Sequence, residues 1–222
     1  MASPLDFYFD FISPYAYLGW TQIHALAARH GRPVRPVPTL FAALLNHSGT
    51  LGPAEIPLKR LYIFKDVLRT AKVFGVPLEP PPGHPFNPLV ALRVAGLPME
   101  DEVRRRVIDA LYRAVWAGGG GIETADDVGR ALEQAGLVPG PMLAAAVEPE
   151  AKERLRRATD AAIAAGVFGV PTVVADGELF WGCDSFGHLE RFLEGKDPIA
   201  GIDVSKYVGV KPSATRPGSR RP

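Results

Sequence analysis

Ser13 is the first residue whose type and position could do chemistry. It follows the apolar and aromatic run "LDFYFDFI" and precedes Pro14, which suits the first position of a helix. A serine before a helix accepts hydrogen bonds from the free backbone N–H groups of the first turn, while its own proton stays available for an anion. The positive end of the helix also favours an anion. On these residues alone, Ser13 is predicted to cap a helix, and anion binding is compatible with that role.

Cysteine and metal chemistry are restricted by the composition. Cys183 is the single cysteine, so neither an intramolecular disulfide nor a cysteine-based zinc site can form within the chain. The five histidines show neither the H-E-x-x-H pattern nor an i, i+4 pair, so no metal site is predicted. There is no G-x-S-x-G motif, so Ser13 is not a hydrolase nucleophile of that kind.

Length and charge limit the class of protein. The chain has 222 residues, of which 47% are hydrophobic and 22% are charged, so one globular domain, with or without a large insertion, is expected. The 25 Lys and Arg against 24 Asp and Glu give no reason to expect a nucleic-acid partner or an anionic membrane. The N-terminus lacks the basic region of a secretory signal, and the run 161–175 is too short for a membrane span. We therefore expect a cytoplasmic protein.

Strand patterns stand at both ends of the chain. Residues 5–12 predict a buried strand, and residues 14–31 predict a helix that starts at a cap and ends at a glycine. The segment 32–40 contains three prolines, so it is extended and at best an edge strand. Residues 169–182 predict a hairpin around an Asp-Gly turn, and 183–195 predict a last helix.

The middle of the chain, residues 41–166, predicts mostly helices. In "PLKRLYIFKDVLRTAKVFG" four residues recur on one predicted face: Leu61, Phe64, Leu68 and Ala71. The five prolines of "EPPPGHPFNP" predict a rigid loop, and four more helical segments follow. One of these helices has a capping box formed by Thr124 and Asp127.

This order of elements is that of a thioredoxin fold interrupted by helices. The N-terminal part supplies β-α-β and the C-terminal part supplies β-β-α. We therefore predict an α/β protein, a thioredoxin fold with a large all-helical domain inserted between its two halves. Residues 1–40 and 167–204 are assigned to the thioredoxin-like domain, 41–166 to the inserted helical domain, and 205–222 to a disordered tail.

Five segments of the chain resemble one known family. They are "DFYFDFISPYAYLG", "GPAEIPLKRLYIFKD", "GHPFNPLVALR", "GVFGVPT" and "FWGCD", and they occur in this order. Over roughly residues 5–195 the chain resembles the 2-hydroxychromene-2-carboxylate isomerases, which are close relatives of kappa-class glutathione transferases and more distant relatives of DsbA-type thiol oxidoreductases. The resemblance implies a glutathione-dependent enzyme, usually a homodimer, that binds glutathione with its sulfur beside Ser13.

The resemblance gives the Ser13 hydroxyl a catalytic role. In thiol oxidoreductases of this fold the strand-to-helix junction carries C-x-x-C, and Ser13 and Ala16 stand at the two cysteine positions. A free thiol has a pKa of about 8.5, and lowering it by ~2 units requires about 2.7 kcal/mol of preference for the thiolate. The helix N-terminus contributes about 1 kcal/mol and a hydrogen bond to charged sulfur roughly 1.5 to 3 kcal/mol, so the two together suffice.

Further glutathione contacts are implied near the C-terminus. In thioredoxin folds the residue before a cis-proline offers its backbone to an extended peptide, so Val170 would pair with the cysteinyl backbone of glutathione and Pro171 would be cis. An ordinary turn is the alternative. The family's matching acid holds the γ-glutamyl ammonium, which assigns that role to Asp184, although a carboxylate at a helix start is favourable without a ligand. The residues just before it would line the same site: Trp181, Gly182 and Cys183.

The substrate side of the cleft should come from the insert. A carboxylate substrate and the glycyl carboxylate of glutathione both need cations. Four basic residues are candidates, and a solvated surface is the alternative for each: Lys59, Arg60, Lys65 and Arg93. We select Lys59, which lies in the best-matching segment. His84 and Asn87, in the proline-rich loop, are weaker candidates for contacts with substrate.

The predicted activity is a cis–trans isomerisation of the 2-hydroxychromene-2-carboxylate type. Reversible addition of the glutathione thiolate to a conjugated double bond of a small aromatic carboxylate would allow rotation. A kappa-class-like glutathione transferase or peroxidase, acting on another electrophilic small molecule and consuming glutathione, is the alternative, and it would use the same binding residues. A non-catalytic thioredoxin-like binding module is a second alternative.

Overall fold

The residues that the computed structural model describes, 2–211 and 213–214, contain one four-stranded sheet. Its strands are β1 Leu5–Phe9, β2 Val34–Pro38, β3 Thr172–Ala175 and β4 Glu178–Trp181. They lie in the order β2-β1-β3-β4, with β1 parallel to β2 and the other neighbours antiparallel. Strands from the N-terminal and the C-terminal parts of the chain thus pair in one mixed sheet, and the predicted thioredoxin fold is confirmed.

Helix α1, Pro14–Arg29, joins β1 to β2 and begins where the sequence predicts. Ser13 caps it by accepting a hydrogen bond from the backbone N–H of Ala16, and Pro14 fits the first turn because it has no N–H to satisfy. After the helix ends, Gly31 has a φ of +61°, the left-handed conformation that commonly follows a helix.

Proline and glycine account for the edge strand β2 and for the turn between β3 and β4. β2 contains Pro36 and Pro38, which lack a backbone N–H, and it lies at the edge, where it has only one neighbouring strand. Asp176 and Gly177 connect β3 to β4 with φ values of 50° and 89°, as a two-residue hairpin turn requires. The predicted edge strand and the predicted hairpin are both confirmed.

The segment between β2 and β3 consists of helices. They are α2 Phe41–Ser48, α3 Pro57–Phe74, α4 Leu89–Ala95, α5 Asp101–Trp116, α6 Ala125–Gln134, α7 Pro139–Val147 and α8 Pro149–Ala164. The sequence patterns do not separate α7, because "PGPMLAAAV" is apolar on every side and shows no helical period. After β4, a 3-10 turn at Cys183–Ser185 leads into α9, Phe186–Leu193.

The face of α3 that meets the core differs from the predicted one. Of the four residues on the predicted face, Ala71 is buried and Phe64 packs against the core, but Leu61 and Leu68 are 64% and 43% exposed, and Val67 is buried instead. Apolar side chains occur all round this helix, and even Leu58 is 93% exposed, so periodicity does not single out one face. Packing against α1 decides which side is buried.

The sheet and the inserted helices share one hydrophobic core. Phe9 and Phe11, at the end of β1, pack against Tyr112 of α5 with ring centroids 5.9 and 4.8 Å apart. Nε1 of Trp116, also on α5, donates a hydrogen bond to the Phe11 carbonyl at 2.8 Å. The backbone that leads to Ser13 is therefore held by the insert as well as by the sheet.

The segment after α9 is exposed. Ser205–Tyr207 form one turn of 3-10 helix, and the predicted tail 205–222 includes residues 212 and 215–222, which lie outside the described residues. In the part of the chain that the structure describes, no helix is both long enough and apolar enough to cross a membrane.

Asp10 is a buried carboxylate between the end of β1 and the start of α2. It is 1% exposed, and its oxygens accept hydrogen bonds from the backbone N–H groups of Ile12 at 3.1 Å and Phe41 at 2.9 Å. Leu40, the residue before α2, offers no side-chain cap, so Asp10 satisfies this helix end. Burial raises the pKa of Asp10 to about 7, against the lowering effect of the backbone hydrogen bonds.

Replacing Asp10 with Asn tests this titration. The folded protein keeps a proton on Asp10 up to a pKa of about 7, whereas the unfolded chain loses it near the ordinary pKa of 3.8. Between these values the folded state binds more protons, so the free energy of unfolding falls as the pH rises, by up to about 4 kcal/mol. Because Asn does not titrate, the stability of wild type relative to Asp10→Asn should fall as the pH rises from about pH 4 to about pH 7.

Denaturant unfolding of both proteins at several pH values measures this difference. Asp126→Asn, which removes an exposed carboxylate from α6, controls for the loss of a negative charge. The pH trend is independent of any constant cost of the Asn side chain. A difference that does not change with pH contradicts a raised pKa at Asp10.

Candidate active site

The side chain of Ser13 lies between the start of α1 and the loop before β3. Ser13 is 8% exposed; its Oγ accepts from the Ala16 N–H and donates to the Val170 carbonyl, both at 3.2 Å. Residues 157 positions apart are thus in direct contact. Ala16, the third residue of α1 and the second of the two cysteine positions, is fully buried and offers only a methyl group.

The loop before β3 faces Ser13 with its backbone. The peptide between Val170 and Pro171 is cis, as the resemblance implies. The Pro171 carbonyl accepts from the Gly182 N–H at 2.9 Å, and the Thr172 hydroxyl donates to the Gly169 carbonyl at 2.8 Å, which fixes the loop on both sides. Within the described residues, the Val170 N–H donates to no acceptor. This loop therefore presents one spare backbone donor beside Ser13.

Gly182 and Asp184 form the end of β4 and the following turn. Gly182 has a φ of +85°, which favours glycine, and a Cβ on it would lie 2.2 Å from Oδ1 of Asp184, so a larger residue would also displace this carboxylate. Asp184 is exposed and has neither an ion pair nor a hydrogen bond among residues 2–211. Its carboxylate is therefore available to a cation from solution.

Cys183 is a packed thiol. It is 4% exposed, and its Cβ lies 3.5 Å from the position that a Cβ on Gly19 of α1 would take. Burial, and then the neighbouring Asp184, raise the pKa of the Cys183 thiol to about 12. The thiol is therefore protonated at neutral pH and is not a nucleophile.

Two aromatic rings lie exposed beside the cis-proline loop. Trp181 is 56% exposed and Phe168 is 52% exposed, and their ring centroids are 5.1 Å apart in an edge-to-face arrangement. The indole covers Gly169, where a Cβ would lie 2.5 Å from Nε1 of Trp181. This pair offers an apolar surface at the rim of the site.

Tyr15 and Asp66 connect α1 with the insert, and the sequence patterns do not identify either. The Tyr15 hydroxyl donates to Oδ2 of Asp66, on α3, at 2.8 Å. Burial, together with this carboxylate, raises the pKa of Tyr15 well above its ordinary value. The contact spans 51 positions of sequence, so no local spacing reveals it. Asp66 is the single acidic residue of α3, whose other charged residues are all lysine or arginine, and this is the one sequence signal that points to it.

The three predicted substrate residues lie in different settings. Lys59 is exposed in the first turn of α3 and has no acidic partner within the described residues. His84 lies against the active-site loop, with Nε2 2.9 Å from the Ile12 carbonyl, and burial lowers its pKa despite this hydrogen bond. Asn87 is exposed and accepts from the Leu89 N–H at 3.1 Å, which caps the start of α4. The structure therefore places His84 against the backbone of Ile12, the residue before Ser13, and gives Asn87 a local structural contact.

The fold and the site define a class of protein. A four-stranded mixed sheet carries a helix whose N-terminal serine faces a cis-proline loop, and this arrangement is that of a thioredoxin-like protein. Residues 4–194 match the model of the DSBA-like thioredoxin domain, and the chain belongs to this family.

Curated relatives name two activities. The chain is 30% identical over 199 residues to a 2-hydroxychromene-2-carboxylate isomerase of Sphingobium xenophagum, covering 87% of this chain and 99% of the relative. It is 29% identical to glutathione S-transferase kappa 1 of Rattus norvegicus, covering 86% and 91%. A solved 2-hydroxychromene-2-carboxylate isomerase superposes with a TM-score of 0.79 at 27% identity, covering 86% of this chain and 94% of that one. The resemblance found in the sequence is confirmed, and the chain is an enzyme of this family.

Proposed function

We propose that the protein is a glutathione-dependent cis–trans isomerase of the 2-hydroxychromene-2-carboxylate type. One observation carries the proposal: a buried serine hydroxyl, and no cysteine, lies at the N-terminus of α1 opposite the Val170–Pro171 loop. Such a site can stabilise a thiolate but cannot form a disulfide of its own. The relatives named as isomerases support the same activity.

The groups around Ser13 fit glutathione. The tripeptide has a thiol, an extended backbone and an ammonium group, and each has a matching group on the protein. The hydroxyl of Ser13 suits the sulfur, the free N–H of Val170 suits a peptide carbonyl, and the unpaired carboxylate of Asp184 suits the ammonium. Trp181, Gly182 and Cys183, which lead from β4 to Asp184, would line the same site.

Ser13 can stabilise a thiolate without moving its oxygen. The Ala16 N–H holds Oγ in place, and the hydroxyl proton now points to the Val170 carbonyl. Rotation about the Cβ–Oγ bond turns this proton toward a sulfur while the cap stays intact. A hydrogen bond to charged sulfur contributes roughly 1.5 to 3 kcal/mol, and the helix end about 1 kcal/mol.

The remaining residues act on the substrate. Bound glutathione supplies a thiolate that adds reversibly to a conjugated double bond and is released unchanged. Lys59, exposed and without an acidic partner in the described chain, is suited to a substrate carboxylate. His84 keeps the backbone before Ser13 in position through the Ile12 carbonyl. The substrate is a small aromatic carboxylate, and the expected homodimer and cytoplasmic location stay predictions.

A kappa-class glutathione transferase is the second candidate. The relatives named glutathione S-transferase kappa support it, and it would use the same residues around Ser13. Quantifying free thiol during turnover separates the two activities. An isomerase leaves the amount of glutathione unchanged over many turnovers, whereas a transferase consumes one molecule per product. Stoichiometric consumption contradicts the isomerase proposal.

Ser13→Ala should raise the pKa of the bound thiol by about 1 to 2 units, because the hydrogen bond to sulfur is lost. At neutral pH the thiolate fraction, and the rate with it, should fall roughly tenfold to a hundredfold. Part of this loss should return as the pH is raised. The ultraviolet absorbance of bound thiolate against pH, for wild type and variant, measures the shift.

The control for Ser13→Ala is Thr124→Ala. Thr124 caps α6 through the Asp127 N–H, so its loss also costs about 1 kcal/mol of stability, but at a distant helix. Thr124→Ala should leave the thiolate titration unchanged. Identical titration in wild type and Ser13→Ala would show that Ser13 is only a helix cap.

Asp184→Asn should weaken glutathione binding by about 1.5 to 3 kcal/mol, because a charge-assisted hydrogen bond to the ammonium is lost. Calorimetric titration with glutathione measures the affinity. Glu178→Gln, which removes an exposed carboxylate from β4, is the matched control and should bind as wild type does. Unchanged affinity in folded Asp184→Asn excludes the assigned role.

A further inference from the structure

The side of α3 that faces solvent has the residue pattern of a packed helix. Starting from Leu58, every third or fourth residue lies on the side opposite the buried Val67 and Ala71, and this side is called the outer face of α3. Five large apolar side chains on it are 43% to 93% exposed: Leu58, Leu61, Tyr62, Leu68 and Val73. A cluster of exposed apolar side chains of this size marks an interaction surface.

The outer face of α3 is also basic. Lys65, Arg69 and Lys72 alternate with its apolar side chains, and all three are exposed. None of them forms an ion pair within the part of the chain that the structure describes. Asp66 lies at one edge of this face and is already bonded to Tyr15 of α1. The outer face therefore suits a partner that is apolar and carries negative charge.

A second exposed apolar stretch follows α9. Residues 197–210, called here the C-terminal segment, contain the isoleucine, valine and tyrosine side chains that disordered segments usually lack. Its hydrogen bonds among the described residues all run between its own members, so no other element holds it. Six large apolar side chains of this segment are exposed: Ile199, Ile202, Val204, Tyr207, Val208 and Val210.

The first part of the C-terminal segment complements the outer face of α3 in charge. Asp197 and Asp203 stand on either side of its two isoleucines, and residues 197–204 contain neither lysine nor arginine. Neither acid forms an ion pair among residues 2–211. The length also fits, because the 18 residues of α3 extend over about 27 Å, whereas the C-terminal segment reaches up to about 46 Å when extended. The segment can therefore run along the whole helix.

We propose that the outer face of α3 binds the C-terminal segment of a second copy of this chain, and that two copies exchange these segments reciprocally. A second copy is the occupant because the face and the segment are both left exposed within one chain. A two-fold axis gives each copy one face and one segment, so both apolar surfaces are covered in both copies. The matched family domain ends at residue 194, so the contact uses a part of the chain outside that domain.

Sedimentation velocity of the full chain at several concentrations measures the dissociation constant of the dimer. We expect wild type to form a dimer. Leu58→Ser combined with Leu61→Ser, on α3, should raise the dissociation constant at least about tenfold, and Ile202→Ser combined with Val204→Ser, on the segment, should do the same. All four side chains are exposed, and circular dichroism confirms that each variant keeps the fold. A wild type that stays monomeric at every concentration overturns the proposal.

Mixing the two double variants tests the exchange itself. A homodimer of either variant has no intact contact, because it lacks either both faces or both segments. A heterodimer has one intact contact, formed by the segment of the α3 variant on the α3 of the segment variant. The mixture should therefore associate more tightly than either variant alone. If mixing gives no gain, or if only one of the two variants weakens the dimer, the face and the segment do not bind each other and the proposal is wrong.

Val138→Ser combined with Val147→Ser is the matched control, because these side chains are equally apolar and exposed but belong to the region of α7. It should leave the dissociation constant unchanged, and a loss as large as that of the test variants would mean unspecific association and overturn the proposal. Asp197→Asn combined with Asp203→Asn should weaken the dimer and make it less sensitive to salt, because the attraction to the basic outer face is lost. An unchanged dissociation constant in this variant contradicts the proposed pairing.

Discussion

The antiparallel pairing of β1 with β3 is the constraint on which the site depends. In its register Tyr8 lies opposite Thr172, so the chain leaving β1 and the chain entering β3 meet at the same end of the sheet. Ser13 follows five residues after Tyr8, and Val170 precedes Thr172 by two. Their hydrogen bond is therefore a consequence of strand register, although all of the inserted helices lie between them in the sequence.

Three features of this fold could be predicted from short sequence patterns. A serine before proline predicts a helix start, prolines predict an edge strand, and Asp-Gly predicts a tight hairpin turn, because each restricts the backbone of its own residues. The buried face of α3 could not be read in the same way. Its Leu61 and Leu68 are as apolar as the residues that are buried, and only the position of α1 distinguishes them.

In the candidate site, too, the sequence identifies residues whose role is set by their immediate neighbours and misses those whose partners are distant. The sequence identifies Ser13 by its capping position and Asp184 by its place at a helix start, since both positions are defined by the next few residues. Asp10 and the Tyr15–Asp66 pair have partners 31 and 51 positions away, and such contacts leave no local pattern. The one sequence sign is that Asp10 directly follows a largely apolar strand, where a buried carboxylate needs hydrogen-bond donors.

The shared core has a consequence for how the chain can be divided. Phe9 ends strand β1 and Phe11 lies just after it, yet Tyr112 and Trp116 of the insert contact them. Excising the inserted helices would expose the aromatic rings at the end of β1 to water, and the isolated helices would lose the surface on which they pack. We therefore expect the two parts to unfold as one cooperative unit, and neither to serve as a module that could be moved alone to another protein.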